Sequence, residues 1–209
     1  MASHPVHYIV EKPQAYSRVQ LVVRILAFVV LGMLGASLGS LFVIAWFILP
    51  LVAAARLAGR DAEEYLDTDG PRVIRALQWF AAIYGWFGLV VERLPSRDPE
   101  ETVMVTVEAG GSPSSSSSLM RLVLGLPSAL MLALLGMVGS LVWLWAALSV
   151  LVDQRIGDRT FAFLAGIQRW AVRLLAYQAS LVDAYPPFSF EDAPPAITGE
   201  RPEPMLAGR

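Results

Sequence analysis

Two stretches of the chain carry no charge at all. Residues 25–55 lie between Arg24 and Arg56, and residues 122–152 lie between Arg121 and Asp153; each holds thirty-one residues. A helix needs roughly 20 apolar residues to cross the ~30 Å hydrocarbon core of a bilayer. Thirty-one residues make ~46 Å of helix, too long for an upright span and too short for two spans with a turn. The pattern predicts one tilted or bent helix per stretch, with its first turns in the interface. Gly32 and Gly35, or Gly125 and Pro127, can absorb the bend. A re-entrant hairpin is the alternative. Residues 76–91 and 161–182 are also apolar, the second interrupted by Arg169 and Arg173 at i, i+4 on one helix face. They read as second membrane helices packed on the long ones, or as helices lying in the interface plane.

Ahead of each long stretch stands a segment alternating with period two, residues 6–10 and 103–107. These read as short strands. Further matches follow. Gly39-Ser40-Leu41 returns as Gly139-Ser140-Leu141, and Trp79, Glu92 and Pro95 return as Trp170, Asp183 and Pro186. The chain thus reads as two tandem repeats of strand, long helix, loop and shorter helix. If the strands pair, they lie on one membrane face, so an even number of crossings separates them. That places residues 60–70 opposite residues 112–118. Between the halves, 109–118 reads as a flexible polar connector. Asp69-Gly70-Pro71 reads as a helix start, after a loop over 61–69. The expected division is repeat one at 1–98, strand and Ser-rich linker at 99–118, repeat two at 119–190, and a Pro-rich tail at 191–209.

Composition narrows the chemistry. Charged residues make up 16% and apolar residues 56% of the 209 residues, against about 25% charged in an average soluble chain. A net charge of −2 provides no basic field for nucleic acid. There are no cysteines, so disulfides, thiolate metal sites and cysteine nucleophiles are excluded. The two histidines, His4 and His7, sit in the N-terminal segment and would face opposite sides of a strand, a poor metal site. No phosphate-cradling glycine motif occurs, and no acidic side chain falls inside the apolar stretches, which argues against ion-coupled transport. No secretory signal is expected at the N-terminus. Basic residues divide evenly between the two faces and so give no orientation rule. The strong preference for Arg over Lys fits a GC-rich bacterial genome.

Two sets of residues stand out. Arg121, Arg169, Arg173, Tyr177 and Asp183 form either a polar pocket for anionic lipid headgroups or a structural network in which the arginines pair internally or snorkel. Gly32, Gly35, Ala36, Gly39, Ser40, Gly136 and Ser140 form small-residue helix faces. These pack against the protein's own helices or dock another protein. The six tryptophans suit interface anchors and core positions.

The order Arg121…Pro127 followed by Arg169-Trp170…Arg173…Tyr177…Asp183-Ala-Tyr185-Pro186-Pro187-Phe188 resembles DUF4389, a bacterial membrane domain of unknown function. The resemblance covers residues 102–190, and half one more weakly. There, Gln78 stands in place of Arg169, Ala82 in place of Arg173, and Leu94-Pro95 in place of Tyr185-Pro186. The resemblance implies a membrane fold but no activity or cofactor. The expected fold is an all-α integral membrane protein of two tandem repeats with a small two-stranded element at one surface. It would be multi-pass in the bacterial inner membrane with cytoplasmic termini. The expected role is a non-catalytic accessory or scaffold subunit of a larger membrane assembly, without metal or cofactor, in contact with lipids and other membrane subunits. The alternative is an anionic-lipid-binding or lipid-transport protein.

Overall fold

The computed structural model describes residues 4–190. The tail expected at 191–209 lies outside the described residues. The described part is mostly helical, with two short strands, β1 (Val6–Ile9) and β2 (Met104–Val107). They pair antiparallel, Val6 opposite Val107 and Tyr8 opposite Val105, which realises the pairing that their alternation suggests.

The first apolar stretch divides into two helices. α1 (Arg18–Met33) ends where Gly35 takes φ +70°, a left-handed conformation open to glycine at little cost. Ser37 then starts α2 (Leu38–Leu57), its side chain accepting from the Ser40 N–H while Ser40 Oγ accepts from the Ser37 N–H. Such a reciprocal cap satisfies two otherwise unpaired donors and fixes a true break, so the single bent helix expected over 25–55 does not form. The second stretch divides differently. α5 (Ser115–Leu124) meets α6 (Leu126–Asp153) at Gly125, with Pro127 in the first turn, where a missing N–H costs nothing.

Two segments expected as loops are helical. α3 (Ala62–Thr68) starts on the Asp61 side chain, which accepts from the Glu64 N–H. The serine run belongs to α5, capped by Ser114 with Ser117. Serines disfavour helix interiors but are strong first-turn partners. α4 (Gly70–Phe87) begins at Asp69 with Pro71 in its first turn, as expected. The Asp69 carboxylate makes no cap bond, however. It faces Arg56 at 3.1 Å and Arg60 at 2.6 Å.

At the centre lies α7 (Asp158–Gln178), the most buried helix. It packs along α6, and also against α4, α2 and β1, while β2 lies on α4. Antiparallel contacts join the long helices of the two halves. Arg18 donates to the Leu151 and Val152 carbonyls at the end of α6, and Ser115 Oγ donates to the Ala54 carbonyl near the end of α2. The second contact, with Tyr65 bonded to the Ala179 carbonyl, brings residues 60–70 and 112–118 to one end of the molecule. The expectation that they lie opposite each other therefore fails. The cause is an extra passage. The extended segment after α4 begins beside Arg24 and Ser17 at Glu92 and reaches Leu181 at Gly110. It so runs the length of α7, about 31 Å at 1.5 Å per residue.

α2 and α6 are long and apolar enough to cross a membrane. Only 22% of each candidate span is buried, unlike the core helix of a soluble domain. Leu26, Val30, Phe47, Leu130, Met137 and Leu141 all point outward.

Candidate functional site

The charged side chains placed deepest are arginines, and two of them close off the ends of the halves. Arg121, on α5, is 4% exposed. Its guanidinium donates to the Tyr177 carbonyl at 2.9 Å, to the Val182 carbonyl and to Asp183 Oδ1. It also lies over the Tyr177 ring, 4.5 Å from the centroid. Arg24, on α1, is 0% exposed. It donates to the Val91 and Glu92 carbonyls at 2.7 Å each, sits 3.5 Å from Glu92 Oε2, and lies over the Trp86 ring at 5.3 Å. Each arginine therefore ties down the turn that follows a later helix: Arg24 binds carbonyls four and five residues past the end of α4, and Arg121 binds one in the last turn of α7 and one four residues past it. In both places the chain turns through a left-handed non-glycine residue, Leu89 with φ 59° and Ser180 with φ 57°.

A second group of polar side chains clips the sheet to the helices. Gln78 donates to the Val103 carbonyl and accepts from the Val105 N–H. Gln168 accepts from the Tyr8 hydroxyl at 2.8 Å and donates to the Tyr84 carbonyl at 2.9 Å. Arg173, 1% exposed, donates to the Val6 carbonyl. Arg169 donates to the Phe190 carbonyl and lies near the Tyr8 ring. Burial pushes the Tyr8 phenol above its ordinary value, against a smaller opposing pull from Arg169. Burial, and then the Arg173 charge, lower the pKa of His4, whose Nδ1 accepts from the Val6 N–H.

Of the polar-pocket candidates, Arg121, Tyr177 and Asp183 thus meet in one cluster, while Arg169 and Arg173 serve the sheet and the closing segment. Arg169 and Arg173 each donate to a carbonyl of the protein's own backbone. The Tyr185-Pro186-Pro187-Phe188 segment folds back on α7. Tyr185 meets Tyr177 edge-on and accepts from Ser128 Oγ, and Phe188 meets Trp170.

The small-residue candidates lie elsewhere. A Cβ added to Gly32, Gly35 or Gly136 would meet nothing within 4 Å, and Gly39 and Ser140 are exposed. Ala36 and Ser40 are half-buried. Gly139, read in the sequence as part of the repeated triplet but not as a packing residue, is pressed against α7, with Ile167 at 3.0 Å from an added Cβ. Sequence reasoning also missed Arg24, Glu92, Gln78, Gln168 and the buried Asp69. The signal for Arg24 was present: it stands before the first apolar stretch as Arg121 stands before the second, and Glu92 answers to Asp183. Among the described residues no group of three or more His, Asp or Glu side chains is placed to hold a metal ion.

No curated protein and no solved structure matches the chain. A family model does, that of the "Domain of unknown function (DUF4389)", over residues 115–189. These residues take in α5, α6, α7, the Arg121 cluster and the Tyr-Pro-Pro-Phe segment, and it is this stretch of the chain that is similar to the DUF4389 family.

Proposed function

We propose that this chain is a multi-pass protein of the bacterial inner membrane, built from two tandem repeats. We assign it the role of a non-catalytic accessory or scaffold subunit of a larger membrane assembly. The observation that carries the reading is the uncovered small-residue surface. Gly32 and Gly136 sit on outward apolar helix faces, and Gly35 in the exposed turn after α1, with nothing near them. Small residues allow close backbone approach in lipid, where no hydrophobic drive brings helices together, and here the protein's own helices leave that approach unused.

The contacts support the repeat. Moving Arg18 and Leu151 by 97 residues in opposite directions turns their contact into the one between Ser115 and Ala54. Arg24 maps to Arg121 by the same step, as do the helix-starting Ser17 and Ser114. The helix-end pairs Glu92 and Asp183, and Trp86 and Tyr177, share a step of 91. The Gly-Ser-Leu triplets, 100 apart, fall three residues out of the long-helix register.

The test is purification in a mild detergent followed by native mass spectrometry. The expected result is co-purification with defined membrane proteins. Gly32→Leu with Gly136→Leu should remove them without lowering the melting temperature of the chain itself. A lone monomer from native membranes would overturn the scaffold reading.

A further inference from the structure

A cleft of about 680 Å³ opens where α6 ends and α7 begins. This is within the 300–1,000 Å³ typical of small-molecule sites. It is lined by Trp145, Ser149, Asp153, Arg155 and Thr160, among others. Three properties mark it. First is its depth. Asp153 is the first charge after thirty-one uncharged residues, so if α6 lies in lipid the cleft opens at the boundary between hydrocarbon and headgroups. Trp145, 64% exposed, lies about two turns on the hydrocarbon side of that boundary, where its ring flanks the upper part of an acyl chain. Second is its charge. The cleft holds one carboxylate and one guanidinium, and neither Asp153 nor Arg155 has an ion-pair partner among the described residues, whereas nearby Lys12 is paired with Asp158. Third is its floor. Leu141, Leu144 and Leu148, exposed on α6, continue from the cleft along the helix as an apolar track.

A ligand matching all three carries a positive and a negative group close together on one end and alkyl chains on the other. We infer that this cleft seats a zwitterionic phospholipid with a primary-amine headgroup, a phosphatidylethanolamine. Its phosphate meets Arg155 and the Thr160 hydroxyl at the start of α7, where Gly157 offers no side-chain cap to the free amides. Its ammonium meets Asp153. Its acyl chains lie on α6. A purely anionic headgroup would bring its charge against Asp153, and a trimethylated amine could not donate a hydrogen bond to that carboxylate.

The inference rests on the membrane reading above, and the experiment separates the two. If the chain sediments with membranes, the full-length protein is delipidated in detergent and titrated with phosphatidylethanolamine, phosphatidylglycerol or phosphatidylcholine, with native mass spectrometry as readout. One phosphatidylethanolamine should bind in preference to the other two. Arg155→Gln should weaken it by about tenfold or more, the size of a lost charge-assisted hydrogen bond. Asp153→Asn should erase the preference over phosphatidylglycerol. Arg159→Gln, the same charge change outside the cleft lining, should leave binding unaltered. Water-soluble phosphoethanolamine should bind at least about tenfold more weakly, because it lacks chains to lie on α6. Equal loss in Arg155→Gln and Arg159→Gln, a preference for phosphatidylglycerol in the unmodified chain, or equal binding of phosphoethanolamine would each overturn the site. Recovery of the chain in the aqueous supernatant would instead overturn the membrane reading itself.

Discussion

Replacing Arg121 with Met tests the claim that buried arginines hold the helix ends together. The guanidinium is bonded to two carbonyls and to Asp183. Losing the bond to each buried carbonyl costs about 1–2 kcal/mol, and losing the contact with the Tyr177 ring about 1 kcal/mol. The ion pair adds little, because the Asp183 side chain is 52% exposed and water replaces its partner; such pairs are worth ~0–1 kcal/mol. The methionine stem keeps part of the apolar contact. The net loss is about 3–4 kcal/mol, or roughly 10 °C in apparent melting temperature for a chain of this size. The assay is size-exclusion chromatography of the detergent-solubilised protein after heating. Arg24→Met provides the internal comparison. Arg24 makes two carbonyl bonds, but its Nε and Nη1 have no protein partner. Part of the desolvation cost of that cation is uncompensated, so its removal should cost less. The expected order of melting temperature is wild type, then Arg24→Met, then Arg121→Met. A shift for Arg121→Met no larger than that of the exposed Arg97→Met, or the reverse order of the two buried arginines, would refute the reasoning.

Three further outcomes follow. Gly88→Ala would place a methyl 2.1 Å from Gln168 Nε2; the displaced amide would give up its bonds to Tyr8 and Tyr84, and differential scanning should show a loss of about 2 kcal/mol. Gly166→Ala would bring a methyl within 2.7–2.9 Å of Phe190, and should lift the segment after Pro187 off α7, seen as faster proteolysis there with the rest of the chain intact. Lys12 donates to Asp158, and that hydrogen bond first, then the charge of Lys12, lowers the Asp158 pKa. Its contribution is therefore present above the ordinary carboxylate pKa near 4 and lost as pH falls through the lower folded value. The melting difference between the protein and Lys12→Met should stay level from neutral pH down to that region and then shrink; a difference unaltered by acid would count against the pair.

What could be read from the sequence follows from the range of the forces involved. Apolar stretches and period-two strands reflect burial averaged over many residues, and they appear where the pattern places them. So does the pairing of residues 6–9 with 104–107. The break at residues 34–37 was not legible because it depends on one left-handed glycine and one pair of serines. Ser37 with Ser40 reads in sequence like any other polar interruption. The serine run at 114–118 misled for the same reason, since composition suggests a linker while a single cap turns it into a helix start. Residues 60–70 and 112–118 share one end of the molecule for a geometric reason. Helices are not alone in traversing the molecule, because the extended segment leading through β2 traverses it too.

The two halves then differ where the sheet needs them to differ. At corresponding places, Gln78 and Arg169 both look toward the strand layer. Gln78 bonds both the carbonyl of Val103 and the N–H of Val105, because an amide carries a donor and an acceptor. Arg169 and Arg173 can only donate, and they serve the Phe190 and Val6 carbonyls. The outer edge of each strand presents both carbonyls and N–H groups, but on the β1 side the Val6 N–H is already bonded to His4 Nδ1, so there only a donor to the Val6 carbonyl is needed. The departures of half one from the DUF4389 pattern, Gln78 and Ala82, therefore fit a division of labour. The half matched by the family carries cations for its closing segment and β1, and the other carries the one side chain able to pair with both groups of β2. Exchanging them, Gln78→Arg with Arg169→Gln, preserves composition and net charge yet leaves the Val105 N–H without an acceptor on one side and the Phe190 carbonyl without a guanidinium on the other. Hydrogen exchange at Val105 should rise in that double variant far more than in Arg169→Gln alone.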